Sequence, residues 1–420
     1  MTAEIKERIE QIRHGNVPKG YKHSAMGIIP EEWKIHSVGE HLTESYIPGN
    51  TGDVAKKITV KLWNKGVVEK KEVHLGSENT QYYTRKKGQF IYSKLDFLNC
   101  AFGIVPAELD GYESTLDLPA FDIDGINPYY LLSQVTQRRF YEHWGVMAAN
   151  GGRKARRISP EDFLSFPVAF PCMDEQNIIA AILTVQDKVI KLKEKLLAEK
   201  QRQKKCLMQQ LLTGKKRLSG FSGEWQNYRL RQLTKRIRCK NTVGNENVLT
   251  ISAQHGLINQ AEFFNKEIAS EDKSNYYLLK KNDFAYNKSY SAGYPYGAIK
   301  RLVRYDVGIV SPLYICFEIT GKDVSLEYME QYFEAGLMNR EIQAFAQEGA
   351  RNHGLLNIAV DDFFNCKMVL PSLKEQKAIA AVLTAADREI ELLRQTLDQE
   401  KQKKKALMQL LLTGIVRVDA

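Results

Sequence analysis

The chain predicts a mixed α/β fold built twice in tandem: a globular unit, a long helix, a second globular unit and a second long helix. Two observations carry that reading. The stretch KKCLMQQLLTGKKRL, Lys204 to Leu218, returns as KKKALMQLLLTGIVRV, Lys403 to Val418. An unbroken offset of 200 also joins Glu175-Gln176 to Glu375-Gln376, Leu183-Thr184 to Leu383-Thr384 and Asp187 to Asp387. Spacing that tolerates no insertion over such a span is what a continuous helix requires.

The first globular unit opens with MTAEIKERIEQIRH, whose mixed charges are not those of a signal peptide, so none is expected in this stretch. The landmark IPEEW, Ile29 to Trp33, recurs as SGEW, Ser222 to Trp225. Tyr82 to Lys94 then aligns with Tyr276 to Lys288 at an offset of 194. Apolar and aromatic residues set against polar ones, interrupted by Lys-Lys-Gly or Lys-Lys-Asn, read as two short strands joined by a loop. Asn127-Pro128 and Ser325 each start an amphipathic helix at an offset of 198, and Gly151-Gly152-Arg153 matches Gly349-Ala350-Arg351 at the same offset.

Each long helix has its own punctuation. Pro171 and Pro371 precede the starts, Ser372 with Glu375 forms a capping box, and Gly214 and Gly414 supply the stops. In the first copy Cys172 stands where the serine should be, leaving Asp174 to cap. Apolar residues step 4, 3, 4, 3, 4 through Ile178, Ile182, Val185, Val189, Leu192 and Leu196, and through Ile379, Leu383, Ala386, Ile390, Leu393 and Leu397, as in a coiled-coil seam. Leu207, Met208 and Leu211, with Leu407, Met408 and Leu411, restore an apolar face at the tails. From Asp174 to Thr213 the rod is about 60 Å long.

A net charge of +10 favours a polyanionic partner. The six cysteines form no C-x-x-C pair, and no His/Cys cluster has metal-ligand spacing. No apolar run approaches a membrane span, so a soluble cytoplasmic protein is expected. Basic residues interleaved with aromatics form the candidate DNA-contacting set: Arg85, Lys86, Lys87, Lys94, Arg153, Lys154, Arg156 and Arg157 in the first unit, Lys280, Lys281, Lys288, Tyr290 and Arg351 in the second. Recurrence at matching places singles out Arg153 and Arg351.

Asn127-Pro128-Tyr129-Tyr130 resembles the Asn-Pro-Pro-Tyr loop of adenine N6-methyltransferases. The third residue departs from it and no G-x-G turn follows a strand, so a helix start is the better reading. No P-loop and no G-x-S-x-G elbow is present. An adenine DNA methyltransferase with a degenerate motif, and a coiled-coil scaffold, are the competing readings.

Taken together, Pro171, Glu175-Gln176, Ile179-Ala180 and Leu207 to Gly214, repeated as Pro371, Glu375-Gln376, Ile379-Ala380 and Leu407 to Gly414, resemble the specificity subunit of type I restriction-modification systems. The resemblance spans essentially the whole chain, with SGEW and Ile415-Val416 as departures. It implies two target recognition domains, 1–170 and 215–370, and two spacer helices, 171–214 and 371–420, that pair as an antiparallel coiled coil. It further implies a non-catalytic reader of a bipartite double-stranded DNA site. The chain would hold no cofactor of its own; S-adenosylmethionine would sit on two docked methylation subunits, which restriction subunits would join.

Overall fold

The computed structural model describes residues 3–71, 76–148, 157–252, 256–264, 272–291, 293–348, 354 and 356–418. It divides into two compact units, one formed by Met1–Glu194 with Thr396–Ala420 and the other by Lys195–Gln395.

The first unit is centred on a four-stranded antiparallel sheet, in the order Phe102–Ile104, Phe90–Tyr92, Ala120–Ile123, Leu42–Glu44. The second repeats that order with Ala298–Arg301, Phe284–Asn287, Ile315–Ile319 and Thr234–Arg236. The two short strands expected around each Lys-Lys turn are present, Gln81–Thr84 and Phe90–Tyr92 in the first unit and Tyr277–Lys280 and Phe284–Asn287 in the second, but the strands on the two sides of each turn belong to different sheets. Gly88 and Asn282 make the turns with positive φ, 85° and 77°, a conformation that glycine and asparagine adopt at least cost.

Aromatic residues fill both cores at equivalent positions. Tyr92 packs on Phe163 with centroids 4.9 Å apart, and its counterpart Tyr286 stacks on Phe363 at 4.8 Å. Such pairs add order 1 kcal/mol each beyond the apolar area they bury. A strand pair closes each unit, Lys34–Ser37 with Pro167–Phe170 and Gln226–Arg229 with Lys367–Leu370, and leads into the long helices Met173–Leu211 and Leu373–Leu411.

Both helices stop where the glycines predict. Gly214 and Gly414 take φ of 70° and 68°, and the N–H groups of Lys216 and Val416 return to the carbonyls of Gln210 and Leu410. The capping box at Ser372 is only half formed. Its Oγ accepts from the Glu375 N–H at 3.4 Å, but the Glu375 carboxylate turns away to Arg217.

Within each unit, half of one long helix lies antiparallel to half of the other. In the first unit Lys404 pairs with Asp187 at 2.5 Å and Lys193 with Glu400 at 3.3 Å, so ascending one helix descends the other. In the second unit Lys204 pairs with Asp387 and Lys200 with Glu389.

The seam of the second helix follows the sequence reading: Ile379, Leu383, Ile390 and Leu397 are buried. The first helix departs from it. Its seam runs through Ile179, Leu183, Gln186, Ile190, Lys193 and Leu197, while Val185, Leu192 and Leu196 are exposed and Ile182 and Val189 are half-buried. Gln186 is buried because its amide donates to the Glu400 carbonyl at 3.1 Å and carboxylate at 2.8 Å. A count of apolar steps passes over such polar seam positions and lands one residue away. At the tails, Leu207, Met208 and Leu211 pack into the second unit's core and Leu407, Met408 and Leu411 into the first's.

Candidate nucleic-acid interface

Lys86 and Lys87 stand on the turn after Gln81–Thr84, fixed by backbone donors rather than side chains. The Lys86 N–H donates to Gln89 Oε1 and the Lys87 N–H to Asp110 Oδ1, both at 2.8 Å, and both side chains are exposed. The backbone of Lys94 is held twice, its N–H on Asp117 O and its carbonyl under the Ile158 N–H at 3.1 Å. The exposed Arg157, next to Ile158, reaches Asp117 at 3.4 Å.

The second unit repeats this construction. Lys280 and Lys281 lie on the equivalent turn, exposed, with Lys281 3.1 Å from Asp306. Lys288 is half-buried, which lowers its pKa, and its carbonyl receives the Leu356 N–H at 3.1 Å. Tyr290 is 62% exposed, with its N–H on Gly354 O. Lys94 and Lys288 thus each tie to the chain just beyond the glycine-arginine run of their unit. Arg153, Lys154, Arg156 and Arg351 lie outside the described residues. The ion pairs of Arg157 and Lys281 join exposed partners, so they contribute little and can exchange a carboxylate for a phosphate at small cost.

Arg85 does not belong to this set. It is fully buried, donating to Ser114 Oγ at 2.7 Å and to the carbonyls of Ser45 and Leu118 at 2.9 and 3.2 Å, and burial draws its pKa down to about 10. Its repeat partner at an offset of 194 is Leu279, also fully buried, so the position belongs to the core in both units.

The methyltransferase-like loop is a helix cap. Asn127 Oδ1 accepts from the N–H groups of Tyr129 and Tyr130 at 2.9 and 3.1 Å, its amide donates to Asn177, and Tyr130 is buried with its hydroxyl on Ala169 O. Among the described residues no group of three His, Cys, Asp or Glu side chains could hold a metal ion, and no helix is long and apolar enough to cross a membrane.

The repeated Pro…Glu-Gln motif is a joint. Gln176 donates to Pro171 O at 3.0 Å while its Oε1 accepts from the Asn127 N–H; Gln376 does the same with Pro371 O and the Ser325 N–H. One glutamine therefore locks the start of its long helix to the start of the amphipathic helix beside it. The neighbouring glutamates, both buried, each take an arginine in bidentate contact: Glu175 from Arg417 at 2.7 and 2.9 Å, Glu375 from Arg217 at 2.5 and 2.7 Å. Sequence reasoning missed these arginines, although the offset of 200 aligns them.

No family model matches the chain. Among solved structures it is similar to the type I restriction-modification system S subunit from M. genitalium, at 10% identity and a TM-score of 0.54, over 92% of this chain and 96% of that one. It is likewise similar to a chain from a study of complex assembly and conformational transition of the type I R-M system, at 14% identity and a TM-score of 0.53, over 92% and 99%. The HsdS subunit from Thermoanaerobacter tengcongensis aligns over 92% and 98% at 15% identity and a TM-score of 0.47. The fold, two α/β units and two long helices, is shared with the type I restriction-modification S subunit from M. genitalium over nearly the full length of both chains.

Proposed function

We propose that the chain is the specificity subunit of a type I restriction-modification complex. Each unit reads one half of a bipartite duplex site, the paired long helices fix the gap, and methylation subunits carrying S-adenosylmethionine dock on the chain together with restriction subunits. The supporting observation is the duplicated joint: two units with one sheet order, each locked through Gln176 or Gln376 to the head of a 39-residue helix. Two equivalent readers on stiff spacers suit a split target better than a single catalytic pocket does. The exposed lysines on the Lys-Lys turns would contact phosphates, and the loops beside Lys94 and Lys288 would approach base edges.

Adenine methylation is mapped genome-wide in cells with the chain and its neighbouring methylation subunit, and in cells lacking only the chain. A split motif of fixed gap is expected to vanish with the chain. An unchanged methylation map overturns the reading.

A further inference from the structure

The hairpin of Ile58–Val60 with Val67–Glu69 in the first unit carries Trp63 and Asn64 at its tip, both with positive φ, 59° and 51°. Asparagine tolerates this region, but a bulky side chain there is strained. The conformation is imposed from outside the hairpin. The Trp63 N–H donates to Asn99 O and the Asn64 N–H to Cys100 O, each at 2.8 Å. Despite this bracing the indole is not used in the core: it is 57% exposed. Lys61 and Lys65 on either side are exposed, and among the described residues neither forms an ion pair. The segment that braces the tip also contains Lys94, which is tied to Ile158 beside Arg157. Behind the tip, Asn64 and Lys65 line a cleft with Tyr129, Lys188 and Lys191.

We propose that Trp63 is a specificity-determining side chain that enters a groove of double-stranded DNA and stacks on a base step of the half-site read by the first unit, with Lys61 and Lys65 on the flanking phosphates. The inference rests on the DNA-reading function above. A fixed backbone means that little freedom is lost when the ring inserts, and wedges of this kind trade unstacking of the duplex for tighter contact. The lysines favour DNA over protein as the occupant, because protein interfaces are depleted in lysine whereas phosphates require cations.

The test measures binding of the full chain to a duplex bearing the motif mapped by methylation, across a salt series. Trp63→Ala is expected to weaken binding roughly 5- to 150-fold, the range for loss of one base–aromatic stack, with an unchanged salt slope. Trp63→Phe is expected to retain most of the affinity, and Lys65→Ala to reduce the slope by about one. Wild-type affinity in Trp63→Ala overturns the proposal while leaving the DNA-reading function intact. Intact duplex affinity combined with loss of a partner subunit on co-purification assigns the tip to a protein contact and equally overturns it. If the wild-type chain itself binds no duplex at about 50 mM salt, the DNA-reading function falls first.

Discussion

Replacing Arg417 with alanine is expected to destabilise the first unit specifically. Glu175 is 1% exposed and receives Arg417 Nε and Nη2 at 2.7 and 2.9 Å, with Trp33 Nε1 on the same carboxylate at 3.2 Å. Without the arginine a buried carboxylate keeps one neutral donor. Breaking a fully buried pair costs about 3–5 kcal/mol. Arg417 is 35% exposed, however, so water can replace part of its contact, and the figure is reduced to about 2–3 kcal/mol. At about 2–4 °C per kcal/mol for a domain of this size, the unit's melting point should fall by about 4–12 °C. Hydrogen exchange read peptide by peptide separates the units: faster exchange is expected around Trp33 and the head of the first long helix, and none of this around Trp225. Arg217→Ala should produce the mirror result through Glu375. The double variant Arg417→Ala/Glu175→Gln should recover much of the loss, since a neutral amide replaces the stranded charge. A double variant less stable than Arg417→Ala alone would refute the reasoning.

Two further pairs of variants and one titration bear on the fold. Leu183→Ala is expected to cost about 2–5 kcal/mol and Leu192→Ala less than about 0.5, because Leu183 is buried in the helix seam and Leu192 is exposed; urea unfolding distinguishes them. Gly414→Ala should destabilise more than Gly214→Ala. Both share a left-handed backbone, but a Cβ at Gly414 falls 2.5 Å from the Pro30 ring, whereas at Gly214 it meets Trp225 at an ordinary 3.4 Å, a difference that calorimetry reads directly. Burial raises the Asp283 carboxyl to about 6, so between about pH 4 and 6 the folded second unit holds a proton that the unfolded chain has released. Its stability should therefore fall as pH rises through that window, and Asp283→Asn should flatten the profile measured by thermal melts from pH 4 to 7.

Much of the fold was legible because its determinants are local. The rods follow from an insertion-free repeat, their ends from Gly214 and Gly414, the amphipathic helix starts from Asn127-Pro128 and Ser325, and the short strands on either side of the turns from Lys-Lys-Gly and Lys-Lys-Asn. The candidate interface was legible only in part. A basic run has the same appearance in sequence whether it faces water or the core, so Arg85 read like Lys86 although it occupies the position of Leu279. Trp63 carried no sequence signal, since its backbone conformation is imposed by Asn99 and Cys100.

By itself the sequence determined the duplication, the length of the helices and the points where they begin and end, because helical period and capping act over a few neighbouring residues. Tertiary structure alone decided which face of the first helix is the seam, which arginine meets Glu175 and which cations remain in water. Those outcomes depend on what packs opposite: Gln186 is buried by Glu400 and Glu175 is neutralised by Arg417, partners more than 200 residues away that no local pattern can identify.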